Sequence, residues 1–380
     1  MASNICHIQE SSGRSTAETL VERREFSIDH KSFKTPQAAK PIHKTQTLPP
    51  VIPPTHQNRT LVLCFDGTGD QFDGDNSNVV QFVSLLMKED HDKQLVYYQT
   101  GIGTYTAKNR TISPLISQLQ RILNTMFADT IDAHIMGFSR GAYTARCLAS
   151  MLYIVGLLPP NNSEQVSFAY TIFRRNDDFG RKQADDFKRA FSTTVNIEFL
   201  GVWDTVGSVG FIPEKPPFTT STAFIKTYRH AMSLDERRAK FQANPWNKHL
   251  SVEEEPEVPT SSSRPPTDIK EVWFAGCHSG PAAMLDSEEH EELKDALSPI
   301  YDRMNIRKWW WLLEYIPLPL RRVRNGQITT RLGFNLGKPR VVESPILHRS
   351  VKMRMEAKYT YKKYEPEAKL PDSEKPTWVD

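Results

Sequence analysis

A serine flanked by two glycines, Gly137-Phe-Ser-Arg-Gly141, stands directly before a long apolar stretch that reaches Leu158. The pattern G-x-S-x-G is typical of a sharp turn from a strand into a helix, which lifts the serine hydroxyl to the end of a sheet. The apolar stretch predicts a helix over 141–158, whose positive N-terminal end favours a developing oxyanion. We therefore expect Ser139 to be a nucleophile. The alternative is a serine that caps a helix, with glycines that serve packing.

Short apolar runs that end in turn residues predict the remaining strands of the sheet. The predicted strands are Thr60–Phe65, Gln94–Gln99, Val195–Trp203 and Ile269–Ala275. The predicted helices are Asn78–Lys88, capped by Ser77 or Asn78, then Ser113–Phe127 and the helix behind Ser139. Strands that alternate with helices predict an α/β fold, with a mostly parallel sheet and helices on both faces.

A serine nucleophile needs a base, and the base needs a carboxylate that orients it. In α/β-hydrolases the acid and then the histidine follow the serine along the chain, each after a strand. Asp204 follows the strand that ends at Trp203, and His278 follows the strand at 269–275. Both would lie at the sheet edge where ligands bind in open sheets. His348 is a second candidate base, and a surface or capping role is the alternative for either histidine.

Composition and cysteine spacing indicate neither a cofactor nor a metal. The net charge is +3 over 380 residues, which does not favour nucleic acid as a partner. The four cysteines stand too far apart for a zinc site or a disulfide framework. Carboxylates between Asp66 and Asp75 leave a calcium loop as an alternative, although their spacing departs from the EF-hand pattern. Because we find no signal peptide and no membrane-spanning stretch, we expect a soluble, cytoplasmic protein.

Changes in composition divide the chain into three parts. Residues 1–57 are polar and end in a proline-rich run, which predicts a disordered leader. Residues 58–363 form the predicted α/β-hydrolase-like domain, with an acidic and then Ser- and Pro-rich surface loop at 251–267. Residues 364–380 are expected to form a polar C-terminal tail that frays.

Several stretches of the chain together resemble one family. It is the uncharacterised α/β-hydrolase family that includes the catalytic domains of type VI secretion phospholipase effectors and many fungal proteins. The matching stretches run from Arg59 to about Met355. In chain order they are LVLCFDGTGD, YYQTGIGT, GFSRGAYTARCLA, FLGVWDTVGSVG, TYRHAMSLDERRAKFQANPW, VWFAGCHS and LHRSVKMRM.

The resemblance implies a Ser-Asp-His triad, carried here by Ser139, Asp204 and His278. It further implies hydrolysis of an ester, which in the bacterial effectors is a phospholipid acyl ester. An oxyanion hole is expected by analogy from the amide of Arg140 and from the loop that contains Gly67 and Thr68.

Two segments depart from the family pattern. Relatives carry a helix resembling LDAHIMGGYEF and then a full strand before the elbow, whereas here Thr130–Met136 runs straight into Gly137. We therefore expect a shortened central strand. After His278 the relatives continue with an aspartate and a glycine-rich loop, which Ser279–Met284 and an acidic run replace here. The alternative to an active esterase is thus a catalytically impaired hydrolase fold, through natural deletion or a faulty gene model, that acts as a binding or membrane-peripheral protein.

The roles of two further segments, the tryptophans at 309–311 and the charged residues at 235–238, depend on whether their side chains are exposed. Trp309, Trp310 and Trp311 open an apolar stretch with basic flanks, which suits a membrane interface. A helix that packs on the core or covers a substrate pocket is the favoured interpretation of this stretch. Arg237 and Arg238 are interpreted as helix-surface charges that pair with Asp235 and Glu236, and an anion site is the alternative.

Overall fold

The computed structural model describes residues 59–67, 77–90, 92–101, 131–159, 164–175, 177–206, 224–246, 266–278, 296–324, 327–342, 345–357, 363–371 and 375–379. Within these ranges the strands are β1 (Arg59–Phe65), β2 (Gln94–Gln99), β3 (Ile131–Phe138), β4 (Asn196–Trp203), β5 (Ile225–Ser233), β6 (Asp268–Phe274), β7 (Leu318–Arg324), β8 (Gln327–Gly333), β9 (Ile346–His348) and β10 (Thr377–Val379). The helices are α1 (Asn78–Leu85), α2 (Ser139–Val155), α3 (Gln165–Arg174), α4 (Asp178–Phe191), α5 (Arg303–Ile306), α6 (Trp310–Glu314) and α7 (Arg349–Glu356). A 3₁₀ turn spans Ala239–Phe241.

Eight of these strands form one sheet in the order β10-β9-β6-β5-β4-β3-β1-β2. Every neighbouring pair in this sheet is parallel. Strands β7 and β8 form a separate antiparallel hairpin. The predicted fold class, an α/β fold with a mostly parallel sheet, is confirmed.

Helices cover both faces of the sheet, because successive side chains of a strand point to opposite sides. In β1, Leu61 and Leu63 belong to a buried cluster that includes Ala145 of α2. The intervening Val62 packs in a second cluster with Val79 of α1. Strands buried on both faces explain why the sequence shows continuous apolar runs rather than an alternation of polar and apolar residues.

The central strand β3 is eight residues long and pairs along its length with β1 and β4. The expectation of a shortened central strand is therefore corrected. Its buried side chains alternate between the two faces, with Ala133 and Ile135 on the α2 side and Met136 and Phe138 on the α1 side. Residues 131–138 thus form a central strand that is paired on both edges and buried on both faces.

The predicted strands at β1, β2, β4 and β6 match the structure to within one residue at each end. Helix α1 begins after Ser77, whose hydroxyl accepts a hydrogen bond from the Val80 amide. The predicted helix Ser113–Phe127, the leader 1–57 and most of the loop 251–267 lie outside the described residues. None of the helices in the described ranges combines the length and the apolar character needed to cross a membrane.

The described residues beyond 363 pack onto the domain, which corrects the expectation of a fraying tail for this part of the chain. Strand β10 extends the sheet by pairing with β9. Ala368 is buried in a cluster with Leu347 and Val351, and Leu370 packs against the same cluster. Apolar residues among the polar ones therefore anchor this segment.

Candidate active site

Ser139 occupies a strained turn between β3 and α2. Its φ is 58°, in the left-handed region that residues other than glycine seldom adopt. Phe138 before it is extended and makes no capping side-chain hydrogen bond. This strand–turn–helix geometry is the one that a nucleophile elbow requires.

The two glycines of the pattern are required by close packing. A Cβ atom on Gly137 would lie 2.7 Å from the Ala142 Cα atom. A Cβ atom on Gly141 would fall on the carbonyl oxygens of Phe65 and Asp66. Glycine at position 141 therefore lets the start of α2 approach the end of β1.

Ser139, His278 and Asp204 form a continuous line of hydrogen bonds where strands β3, β6 and β4 end. The His278 Nε2 atom lies 2.6 Å from the Ser139 Oγ atom. The His278 Nδ1 atom lies 2.5 Å from the Asp204 Oδ2 atom. The exposed fractions of the three residues are 4%, 5% and 0%, so these polar contacts are largely shielded from water. The structure thus brings together the three residues that the sequence analysis selected.

Two aromatic rings hold the imidazole of His278 in place. The ring of Phe138 lies 5.0 Å from the imidazole and the ring of Phe241 lies 4.7 Å from it, measured between centroids. The His278 amide also donates to the Glu236 carboxylate at 3.3 Å. Both the ring and the backbone of His278 are therefore fixed by neighbours.

Asp204 sits on a turn of its own, with a φ of 40°. Its amide donates to the Ala231 carbonyl at 2.7 Å, and its Oδ1 atom accepts from the Ser233 amide at 3.0 Å. Burial by itself would raise the pKa of Asp204, but the Arg340 guanidinium and His278 outweigh burial and hold the pKa well below its usual range. Asp204 is therefore an ionised carboxylate aimed at His278.

Arg340 and Phe241 are residues of this site that the sequence did not reveal. Arg340 lies between β8 and β9, and its two terminal nitrogens bind the two carboxylate oxygens of Asp204 at 2.6 and 3.0 Å. The same guanidinium donates to the carbonyl and hydroxyl of Ser233, each at 2.8 Å, and to the Phe241 carbonyl. Burial would lower the pKa of Arg340, and the contact with Asp204 overcomes this and raises it. No local sequence pattern predicts that Arg340 binds Asp204, which lies 136 residues away in the chain.

His348 has a different role from His278. Its Nδ1 atom accepts from the Ser350 amide at 3.2 Å, which caps α7. Its ring stacks on Phe274 with centroids 4.6 Å apart. The capping alternative therefore describes His348.

The residues proposed for an oxyanion hole are placed only in part. The Gly67 amide donates to the Asp66 Oδ1 atom at 2.8 Å, so it is directed at its own loop. The other Asp66 oxygen accepts from the Tyr98 hydroxyl at 2.6 Å. Thr68 lies outside the described residues. Arg140 is the second residue of α2, among the first amides of a helix, which have no acceptor within the helix.

The charged residues at 235–238 do not lie on a helix surface, which corrects their interpretation. Asp235, Glu236 and Arg238 are buried. The Arg238 guanidinium contacts Glu236 at 2.8 and 2.9 Å and lies 3.6 Å from the centre of the Phe241 ring. Of the expected ion pairs the one between Arg238 and Glu236 is present, whereas Arg237 contacts Asp302 instead.

The three tryptophans differ in their surroundings. Trp309 is 54% exposed and stacks on Trp310 with centroids 4.2 Å apart. Trp310 lies edge-on to Phe241, which contacts His278, and Trp311 packs against Gly337. Helix α6 therefore packs beside the site through Trp310.

A hydrogen-bonded carboxylate connects α6 to the same region. Glu314 is buried and accepts from the Ala239 amide, the Asn335 side chain and the Gly337 amide at 2.7, 2.7 and 3.0 Å. Ala239 opens the 3₁₀ turn that ends at Phe241. Glu314 thus links helix α6 to the 3₁₀ turn whose Phe241 side chain contacts His278.

A metal site is not found in the part of the chain that the structure describes. There, no group of three or more His, Cys, Asp or Glu side chains is placed to hold an ion. The carboxylates of the candidate calcium loop, apart from Asp66, fall outside the described residues.

The parallel sheet and the turn at Ser139 define an α/β protein of hydrolase-like architecture. A sequence model of the family described as "T6SS, Phospholipase effector Tle1-like, catalytic domain" matches residues 59–137 and 134–298. The match covers more than half of the chain, and the chain belongs to this family.

The individual relatives match this chain over part of their own length. The uncharacterized protein YEL023C of Saccharomyces cerevisiae is 34% identical over 228 residues, which cover 50% of this chain and 33% of that protein. The chain thus spans about a third of the length of this curated relative. A solved structure of an uncharacterized protein from Pseudomonas aeruginosa matches with a TM-score of 0.36 at 18% identity, over 59% of this chain and 41% of that one. The Tle1 effector bound to the VgrG spike of the type VI secretion system matches with a TM-score of 0.30 at 18% identity, over 59% and 51%.

Proposed function

We propose that the chain is a serine-dependent ester hydrolase with a lipid-like substrate. The observation that carries the proposal is the unbroken line of short hydrogen bonds from Ser139 through His278 to Asp204, with Ser139 at a positive φ. A capping serine needs neither the strained backbone nor the imidazole at 2.6 Å.

The proposed reaction proceeds through an acyl-enzyme. The Ser139 Oγ atom attacks the carbonyl carbon of the ester while the His278 Nε2 atom takes the hydroxyl proton. The tetrahedral intermediate collapses, the alcohol leaves with the proton from Nε2, and the acyl group stays on Ser139. Water then attacks the acyl-enzyme with His278 again as base, which releases the carboxylic acid and restores the serine.

Two groups are proposed to stabilise charge in this reaction. Asp204 accepts from the His278 Nδ1–H group and stabilises the imidazolium that forms at each proton transfer. The first amides of α2, including that of Arg140, are proposed to donate to the developing oxyanion, because they have no acceptor within the helix and the positive end of the helix adds to their effect.

A phospholipid acyl ester is the substrate that we propose on the family's description. The exposed apolar side chains of α6 and its flanks support a lipid-like substrate. They are Trp309, Leu312 and Ile316. Lys308 and Arg307, also exposed, lie beside them. Aromatic and basic residues together suit the interface of an anionic membrane.

A binding protein with an impaired site is the competing proposal. The family match comes in two pieces that meet at 134–137, the place where the sequence departs from its relatives. The second departure, at 279–284, lies outside the described residues. The full-length β3 and the hydrogen bonds of Ser139 favour the active hydrolase.

Labelling with a fluorophosphonate tests the active-site proposal, because this probe reacts with activated serines. We expect labelling of the wild-type chain and none of Ser139→Ala. A matched control is Ser150→Ala on the same helix, where the hydroxyl donates to the Arg146 carbonyl at 3.0 Å. Hydrolysis of a p-nitrophenyl ester should fall on the order of 10⁴-fold or more in Ser139→Ala alone. A folded wild-type chain that neither labels nor hydrolyses would favour the binding protein.

Sedimentation with vesicles tests the membrane contact separately. We expect binding to phosphatidylglycerol vesicles to weaken in the double variant Trp309→Ala, Leu312→Ala. Phe179→Ala is the matched control, because Phe179 is an exposed aromatic residue on α4. Equal binding of both variants, or no binding by the wild-type chain, would refute the membrane contact and leave the hydrolase proposal standing.

A further inference from the structure

We infer that Arg340 is a positioning residue of the site: its guanidinium holds the Asp204 carboxylate charged and turned toward His278. The inference rests on the proposed hydrolase function. It assigns a role to a residue that lies beyond position 298, where the family match ends.

The geometry of Arg340 fixes the orientation of the carboxylate. A planar guanidinium that binds both oxygens of Asp204 allows only one carboxylate plane. The remaining contacts, to Ser233 and to the Phe241 carbonyl, fix the guanidinium in turn. Asp204 and Arg340 are both buried, so water does not compete for these hydrogen bonds.

The charges around the site leave Arg340 as the cation for Asp204. The titratable groups that face Arg340 are the carboxylates of Asp204 and Glu236 and the thiol of Cys277. Glu236 has a cationic partner of its own, since Arg238 contacts both of its oxygens. Removal of Arg340 would leave Asp204 buried with His278 as its remaining charged or chargeable contact among the described residues. A buried carboxylate in that position favours its protonated form.

Arg340 also connects two parts of the site. It donates to the carbonyl of Phe241, whose ring packs on His278. Arg340 therefore contacts the Asp204 carboxylate directly, and it also holds the backbone of Phe241, the residue that packs on the imidazole. A protonated or rotated Asp204 no longer orients His278, and small displacements in such a site can cost on the order of a hundredfold in rate.

The test compares Arg340→Met and Arg340→Lys with Arg354→Met. Arg354 is a buried arginine as well, but it donates to the carbonyls of Ala296 and Ser298 rather than to a carboxylate. We expect kcat/KM for a p-nitrophenyl ester to fall about 100- to 1,000-fold in Arg340→Met. Arg340→Lys should fall less, because it keeps the charge but loses the paired contact. Arg354→Met should retain kcat/KM to within about threefold of the wild type.

The pH profile separates positioning from general damage. In Arg340→Met the acid limb of kcat/KM should move to higher pH, because the Asp204 carboxyl takes up a proton more readily. Arg354→Met should keep the wild-type limb even if it lowers the melting temperature. Unchanged kcat/KM and an unchanged acid limb in folded Arg340→Met would overturn the inference.

A measurement of stability keeps the inference testable if the wild-type chain hydrolyses no ester. The pKa of Asp204 is depressed in the folded protein, so its stabilisation is full above the unfolded value, about 3.9, and is lost as the pH falls below it. In Arg340→Met the pKa should instead be raised by burial. The melting temperature of this variant should therefore lie furthest below the wild type at neutral pH and approach it as the pH falls toward 4. A deficit that does not change with pH, as expected for Arg354→Met, would contradict the charge role.

Discussion

Asp204 and Asp235 follow the neighbouring strands β4 and β5, and both are buried, yet their pKa values are displaced in opposite directions. Burial would raise the pKa of both. At Asp204 the Arg340 guanidinium and His278 overcome burial and lower the pKa. At Asp235 burial prevails, and the pKa is raised.

The difference lies in the charge of the partners rather than in the number of hydrogen bonds. Asp235 accepts from the amides of Gly276 and Glu367 and from the Tyr364 hydroxyl at 2.7, 2.9 and 2.8 Å. These donors are neutral and satisfy the oxygens without offsetting the lost hydration of a charge. Asp235 thus ties the C-terminal segment to β6, whereas Asp204 is kept as an anion beside an imidazole. Of the two surroundings, that of Asp204 supports acid–base chemistry.

The largest expected effect comes from exchanging each carboxylate for an amide. Asp204→Asn leaves His278 without its carboxylate partner, and kcat/KM should fall on the order of 10³- to 10⁴-fold in ester hydrolysis. Asp235→Asn should change kcat/KM by less than about tenfold, because its partners lie in the C-terminal segment and at Gly276.

Both variants need assays below their melting temperatures. Asp204→Asn deprives the buried Arg340 guanidinium of the carboxylate that it contacts directly, so it should also lower stability. Circular dichroism at the assay temperature checks that the fold is retained. Equal losses of activity in the two folded variants would refute the distinction between the two aspartates.

Glu314 is another buried carboxylate that, like Asp235, accepts from neutral donors, and its substitution should have an intermediate effect. In Glu314→Gln an NH₂ group replaces one of the two carboxylate oxygens. The donors that bind this oxygen, either the Ala239 amide or the Asn335 and Gly337 N–H groups, then lose their acceptor. The free energy of unfolding should fall by about 2 kcal/mol. Activity should fall about tenfold, because Glu314 anchors the turn that places Phe241 on His278.

Urea denaturation measures the stability of this variant, and Glu356→Gln is its matched control. Glu356 is exposed on α7, with Lys352 at 3.9 Å, so its loss should hardly change stability. If Glu314→Gln were as stable as Glu356→Gln, then Glu314 would not anchor helix α6.

Much of the site could be predicted from the sequence because its parts are marked locally. Apolar runs that end in turn residues located β1, β4 and β6, and the glycines beside Ser139 marked the elbow. In a parallel sheet the carboxyl ends of strands share one edge, so chain order sufficed to select Asp204 and His278. The geometry now places both within hydrogen-bonding distance of each other.

The remaining features depend on contacts that no local pattern records. Strand β5 carries Lys226, Arg229 and His230 among its apolar residues, and its place in the middle of the sheet is set by pairing with β4 and β6. The burial of Glu236 and Arg238 follows from neighbours far along the chain, such as Trp310. Arg340 reaches Asp204 only through the folded arrangement, so the sequence alone did not reveal it.

The smallest expected effect concerns the C-terminal segment alone. Tyr364→Phe removes one neutral donor from Asp235 and should lower the free energy of unfolding by about 1 kcal/mol at neutral pH. The hydroxyl favours the ionised carboxylate, so its loss raises the pKa of Asp235 further. The deficit should therefore shrink as the pH falls through that pKa and the carboxyl becomes protonated. Urea denaturation at several pH values measures this, with kcat/KM expected to stay at the wild-type level. A deficit that grows toward acid pH would show that the Tyr364 hydroxyl does not bind the ionised carboxylate of Asp235. The contrast between Asp204, with a charged partner, and Asp235, with neutral partners, would then be refuted at Tyr364.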